Sequence, residues 1–317
     1  FLVMPPLMKF LKNKGIIGID VHKPDKPEVP EMGGIGIVLG LFVGVLALIH
    51  VGDYAKYLAF LTTVAVTALI GLVDDLYTLR AKVKTGLTVL AFTPLVLFAL
   101  LFPSQIVLGR PELPFIGRLR LTIVYWLLLP FAIAVPANAV NMMDTYNGVM
   151  SGSCAMASLS LMISCIILGR FEAAVMSAAL LGALLAFYWY NRYPARVFAG
   201  DVGSLSVGAA IGAIAVIGRV EVVCIAVLMP FIMNAFHSLT SLGGLLERRE
   251  IKVRPVVVGE SGVLRANFDR GAPATLANLL LRKGPATELE IIHSYHVLAA
   301  VSSILGVVTA LLMGVRI

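Results

Sequence analysis

Apolar runs of membrane-spanning length follow one another from residue 34 to the C-terminus, which leaves the chain few ways to fold. A single span needs about 20 apolar residues to cross a hydrocarbon core of roughly 30 Å. Nine such runs can be marked, at 34–50, 54–72, 86–103, 121–137, 149–169, 172–190, 203–219, 221–245 and 291–314. Charged residues make up only 14% of the 317 positions, against roughly 25% in soluble domains, so a soluble fold is excluded. The expected fold is all-α, a polytopic transmembrane helical bundle formed as one domain over residues 1–317. Phe1 to Met8 is apolar and precedes Lys9, Lys12 and Lys14, the reverse of a cleaved signal peptide. It is expected to be the tail of a further span, which brings the estimate to ten.

Alternating the nine spans assigns every connection to one of two faces. Residues 9–33, 73–85, 138–148, 191–202 and 246–290 fall on the first, with 18 of the 25 lysines and arginines. The other seven are Lys56, Arg110, Arg118, Arg120, Arg170, Arg219 and Arg316. Basic residues gather on the cytoplasmic side of membrane proteins, so the first face is expected to be cytoplasmic. The group Arg110, Arg118 and Arg120 is a local exception. The net charge of +7 therefore records topology, not binding to nucleic acid. Cys154, Cys165 and Cys224 lie in apolar runs without metal or redox spacing and are expected to be packing residues.

Carboxylates at membrane segments are expensive and usually functional, and Asp20, Asp74, Asp75, Asp144 and Asp201 all map to the first face. In Gly71-Leu-Val-Asp74-Asp75, two adjacent carboxylates precede Arg80, Lys82 and Lys84. Such a set can hold Mg²⁺ or take a proton while a lysine neutralises phosphate; the alternative is an ordinary charged helix end. Asn138, Asn141 and Asp144 recur every third residue, and Asn147 follows. Their oxygens suit Mg²⁺, a ribose or a uracil edge, or else cap a helix. Around Asp201, a candidate metal ligand or N-cap, Gly200 and Gly203 allow close backbone approach and Phe198 could stack on a base. The long polar connection 246–290 carries Lys252, Arg254, Arg265 and Arg270, which could clamp a diphosphate or bind anionic headgroups.

Asp74-Asp75, Asn138-Ala-Val-Asn141 and Gly200-Asp201-Val-Gly-Ser204-Leu, in that order at span ends, resemble the polyprenyl-phosphate N-acetylhexosamine-1-phosphate transferases. The likeness covers nearly the whole chain, including Gly18-Ile-Asp20 and Pro30-Glu31-Met-Gly33-Gly34. Tyr193-Pro-Ala-Arg196 and Thr275-Leu-Ala-Asn278 resemble the eukaryotic dolichyl-phosphate GlcNAc-1-phosphate transferase branch, whereas Asp144 resembles the bacterial one, a mixture expected of an archaeal enzyme. The histidine-rich motif of the bacterial branch is missing from the last loop, and Lys252-Val-Arg254 is similar to a basic element of the eukaryotic branch.

The resemblance implies transfer of GlcNAc-1-phosphate from UDP-GlcNAc to a membrane-embedded polyprenyl or dolichyl phosphate, with Mg²⁺ or Mn²⁺ as cofactor and a homodimer as one arrangement open to it. It further implies that Asp201 and Asn141 would hold the metal, and that Lys84, Lys252 and Arg254 would bind the diphosphate sugar. Phe198 would stack on uracil; Asn138, Asn147 and Glu31 would contact the substrate. Asp74 would position or deprotonate the lipid phosphate, supported by Asp75 and Asp144. A magnesium-dependent intramembrane prenyltransferase is the rival enzyme, but it needs a second aspartate-rich element where 138–148 offers mainly asparagines. A lipid flippase or transporter is the rival from another class.

Overall fold

The computed structural model describes residues 1–121, 123–244, 251, 253–259, 262–269 and 271–315. A short helix α1 (Met4–Asn13) leads into a hairpin of β1 (Ile17–Ile19) and β2 (Glu28–Pro30), then α2 (Gly34–Ala47) and α3 (Tyr54–Tyr77). Next come α4 (Ala81–Leu90), α5 (Thr93–Leu101), a second hairpin of β3 (Glu112–Leu113) and β4 (Gly117–Arg118), and α6 (Ile123–Met143). The helices α7 (Val149–Ile167), α8 (Phe171–Asn191), α9 (Gly200–Gly218), α10 (Glu221–Val227) and α11 (Met229–Leu242) follow. The chain closes with a hairpin of β5 (Val256–Val258) and β6 (Leu264–Ala266), the short α12 (Leu276–Leu281) and α13 (Glu288–Gly314).

Among the described residues seven helical segments are long and apolar enough to cross a membrane, eight when the bent pair α10 and α11 counts as one. All nine expected runs are helical, and two differ from a simple span. The helix α2 has 14 residues, about 21 Å at 1.5 Å per residue, short of a full crossing. The run 221–245 bends by 67° between α10 and α11. Pro230 sits in the first turn of α11, and a proline lacks the N–H that would continue the ladder. The helices also reach further than the apolar runs: Lys84, Asn138 and Asn141 lie on helices, not in connections.

The helix α9 is the axis of the bundle. Nearly all its residues are buried, and it packs most extensively on α3 and α6. Glycine, alanine and serine make it slim, the usual device for close helix approach in lipid. Pro136 cannot donate to the Ala132 carbonyl one turn back, and Gly212 lies directly against that freed oxygen. A Cβ at Gly208 would meet the Pro136 carbonyl and the Ala137 Cα. Gly208→Ala should therefore destabilise the bundle by about 1–3 kcal/mol, measured as a lower unfolding temperature of the purified protein in detergent.

The β3–β4 hairpin is clamped to the start of α8. Arg170 Nη2 donates to both Glu112 oxygens at 2.7 Å, and Arg118 Nε donates to Oε1 at 2.5 Å. Burial pushes the Glu112 carboxyl up, but the bonds from Arg118 and Arg170 outweigh it and hold the group below its ordinary 4.5. Because the folded value lies below the unfolded one, the clamp is at full strength above about pH 4.5 and is lost as pH falls through the lowered folded value. Protection of the hairpin from limited proteolysis should follow that curve, and Glu112→Gln should flatten it.

Candidate active site

The helices α3 and α9 run antiparallel, which brings the end of one to the start of the other. Asp75, in the last turn of α3, accepts the Asp201 N–H at 2.8 Å and the Val202 N–H at 3.0 Å. These amides open α9, where the first N–H groups have no helical partner and the helix dipole favours an anion. Gly200 makes the approach feasible. It has φ +71°, and a Cβ there would fall 2.7 Å from Asp75 Oδ2. Gly71, one turn earlier on α3, lies against the Asp201 carbonyl with no room for a side chain.

Once docked in this way, Asp201 meets two other elements. Lys84 Nζ, from the first turn of α4, lies 2.6 Å from Asp201 Oδ2 and 2.8 Å from Asp74 Oδ2. Asn141 Nδ2, near the end of α6, donates to Asp201 Oδ1 at 2.7 Å and to Ser204 Oγ at 2.9 Å. Asp74 Oδ1 also accepts the Leu79 N–H at 2.6 Å, which fixes the turn between α3 and α4. Side-chain exposure rises from 7% for Asp74 through 14% for Lys84 to 25% for Asp201, so Asp201 is the more open of the two carboxylates that share Lys84.

Asn138 lies one turn before Asn141 and spends both amide hydrogens inside the protein, on Thr88 Oγ1 and the Ala134 carbonyl, each at 2.8 Å. It ties α6 to α4, the helix that carries Lys84. Asp144 is half-buried in the turn after α6, its N–H bonded to the Asn141 carbonyl.

A second group lies beside the first. Asn147 Oδ1 accepts the Ala195 N–H at 2.7 Å and Lys23 Nζ at 3.0 Å, while its Nδ2 donates to Asp20 Oδ2 at 3.1 Å. Lys23 also pairs with Asp20, lies 3.5 Å from Glu288 Oε2 and sits over the Tyr193 ring. Sequence reasoning missed Lys23 and Glu288; the spacing of Asp20 and Lys23, three residues apart, is the only local signal for them. Glu31 and Phe198 converge across Gly18, where a Cβ would fall 3.3 Å from Glu31 Oε2 and 3.1 Å from Phe198 Cδ2. Arg254 is exposed and lines a cavity of about 480 Å³ with Lys23, Lys26 and one edge of β5. The other basic residue expected there, Lys252, lies outside the described residues, as does Arg270.

The glycosyl transferase family 4 profile matches residues 57–219, from the start of α3 to the end of α9. This chain belongs to glycosyl transferase family 4. A Saccharolobus solfataricus protein provisionally named UDP-N-acetylglucosamine–dolichyl-phosphate N-acetylglucosaminephosphotransferase is 28% identical over 303 residues, 94% of this chain and 89% of its own. A phospho-N-acetylmuramoyl-pentapeptide-transferase of Thermodesulfovibrio yellowstonii is 31% identical over 280 residues, 77% of this chain and 75% of its own. Another enzyme of that name, from Shouchella clausii, is 31% identical over 246 residues, 73% and 74% of the two chains. The stretch matched by the family 4 profile holds Asp74, Asp75, Lys84, Asn141 and Asp201.

Asp75 thus positions the first turn of α9. Asp75→Ala strips two amides of their acceptor and should cost about 1–3 kcal/mol of stability, seen as a lower unfolding temperature. Asp75→Asn, which keeps one oxygen, should lose less.

Proposed function

We propose that this chain transfers GlcNAc-1-phosphate from UDP-GlcNAc to a polyprenyl phosphate such as dolichyl phosphate, releasing UMP. The observation that carries the reading is Lys84 held between Asp74 and Asp201 at the ends of three apolar helices. A reaction that joins a lipid phosphate to a soluble nucleotide needs anionic and cationic groups at the membrane boundary, within reach of both. The distribution of lysine and arginine orients that boundary toward the cytoplasm. On this reading residues 1–317 form one catalytic unit with 246–290 as its cytoplasmic loop.

Phosphoryl transfer depends on in-line positioning and charge neutralisation more than on covalent chemistry. An oxygen of the lipid phosphate attacks the β-phosphorus. A new P–O bond forms there as the bond to the bridging oxygen of the α-phosphate breaks, and UMP leaves with that electron pair. Asp74, buried against Lys84, positions the acceptor or takes its proton. Lys84 faces the transferring phosphate, and Arg254 reaches the diphosphate sugar from the β5 edge. Phe198 stacks on uracil with Glu31 at the nucleoside beside it. Asn147 has committed one Nδ2 hydrogen to Asp20 and both acceptor positions to Lys23 and Ala195, so its second Nδ2 hydrogen is the group it offers a nucleoside oxygen.

The donor set suits a hard divalent cation. Asp201 carries carboxylate oxygens and Asn141, whose Nδ2 faces Asp201, carries an amide oxygen on the same group, and Mg²⁺ accepts few protein oxygens, completing its shell with water and phosphate. Mg²⁺ or Mn²⁺ held by those two residues would supply charge neutralisation to the diphosphate. Lys84 contributes the same sign of charge without a metal, which is why it can hold two carboxylates together.

Asp201→Asn keeps the volume and removes the charge. UMP release from UDP-GlcNAc, dependent on added dolichyl phosphate, should fall at least about 100-fold, as for loss of one oriented electrostatic group. Chelation should abolish release and Mg²⁺ or Mn²⁺ should restore it. Undiminished release by the variant would sink the assignment of Asp201, and release independent of the lipid would sink the acceptor.

A further inference from the structure

Three basic residues of the second face, Lys56, Arg170 and Arg219, line one cavity and take no part in the transfer reaction. Lys56 lies in the first turn of α3 and Arg219 follows the last turn of α9, so both stand at the end of the bundle remote from Asp74 and Asp201. The 24 residues of α3 put about 36 Å between its ends. Here a cavity of about 130 Å³ opens, lined by Lys56, Arg170, Arg219, Glu172 and Gln105. That is room for several waters or one phosphate-sized anion.

The ion pairs around it leave one guanidinium without a partner. Lys56 is matched by Asp53 at 2.7 Å and Glu172 at 3.1 Å. Glu112 serves both Arg170 and Arg118. The Arg219 side chain makes no hydrogen bond or ion pair among the described residues; Glu112 and Glu221 act on it only through space, and Glu221 Oε1 is bonded to the Tyr125 hydroxyl at 2.9 Å. Burial first, and then Arg118, Arg170 and Arg110, pull the Arg219 guanidinium below its ordinary value. Arg170 Nε is buried with no hydrogen-bond partner.

Capping alone does not explain Arg219. A cation does favour the C-terminal end of a helix dipole, but Arg219 has φ +54°, a conformation that suits glycine or asparagine and strains other residues. A strained residue kept at a polar cavity is evidence for a task. A guanidinium group with free N–H donors matches phosphate oxygens in charge and geometry.

We propose that this end of the bundle binds a phosphate group, supplied by the headgroup of an anionic phospholipid where the helices leave the bilayer. Arg219 is the principal donor, with Arg170 beside it on the cavity wall. The site is independent of the transfer reaction at the other end.

Arg219→Gly tests this without endangering the fold, because glycine relieves the φ of +54°. The full chain, delipidated in neutral detergent, would be titrated with phosphatidylglycerol or phosphatidylcholine and followed by native mass spectrometry and thermal unfolding. The wild type should retain one phosphatidylglycerol in preference to phosphatidylcholine and gain thermal stability from it. Arg219→Gly should unfold at the same or a higher temperature without lipid, bind phosphatidylglycerol roughly five- to tenfold more weakly and lose the lipid-dependent gain. Arg219→Lys should keep most of both. Competition by millimolar inorganic phosphate would assign the site to any phosphate group, and failure to compete would assign it to the lipid. Equal binding of the two lipids, or wild-type affinity in Arg219→Gly, would overturn the proposal.

Discussion

The candidate site depends on one contact, the carboxylate of Asp75 on the first amides of α9. A helix entering a membrane must satisfy its N-terminal N–H groups, and lipid offers no water for the purpose. Asp75 satisfies two of them from the neighbouring helix and thereby sets the register between α3 and α9. Asp201 is the residue that carries the first of those amides. Its side chain is delivered to Lys84 and Asn141 by the backbone bond that anchors the helix, so the fold and the chemistry share one fixed point. The glycines at 71 and 200 follow from the same constraint, since any side chain at either position would hold the two helices apart.

Charge at this boundary is economical in a way the residue types alone do not convey. Asp74, Asp201 and Lys84 sit within hydrogen-bond reach of one another's partners, and a buried carboxylate without a cation would be costly. One lysine satisfies both. The same logic recurs at Asp20 and Glu288, where Lys23 stands between two buried carboxylates and holds Asn147 as well. Each ammonium therefore offsets part of the negative charge of its site before any ligand arrives. A ligand bearing its own cations and phosphates meets side chains that are already ordered, which lowers the reorganisation needed on binding.

The apolar helices, their order and the carboxylates that meet where α3 joins α9 were legible in the sequence, for a physical reason, although two of the nine expected spans are not simple crossings. Charged groups are so unfavourable beside lipid that Asp74, Lys84 and Asp201 stand out against an apolar background, and Asn141 stands out by its spacing from Asn138. Three things were not legible. The roles of Asp75 and Asn138 as struts depend on which backbone amide or hydroxyl lies opposite, and that is a matter of packing. The Lys23 contact with Asn147 spans 124 residues, a distance that no local pattern encodes. The break between α10 and α11 was hidden inside a run whose hydropathy is continuous; only Pro230 marked it, and a proline in the first turn of a helix is compatible with a straight span entry as well as with a bend.

The helix α9 ties these observations together. It carries an aspartate at its N-terminus and an arginine just past its C-terminus, each of the sign that its helix dipole favours. In a soluble protein that pairing would serve stability alone. In a bundle whose flanks face lipid, the two ends of a buried central helix are among the few places where water, headgroups and soluble substrates can be met. The same polarity that stabilises α9 therefore matches the ligands proposed for its two ends, a cation with its phosphate partners at Asp201 and a lipid phosphate at Arg219. A helix made of glycine, alanine and serine for most of its length contributes packing in the middle and chemistry only at its ends.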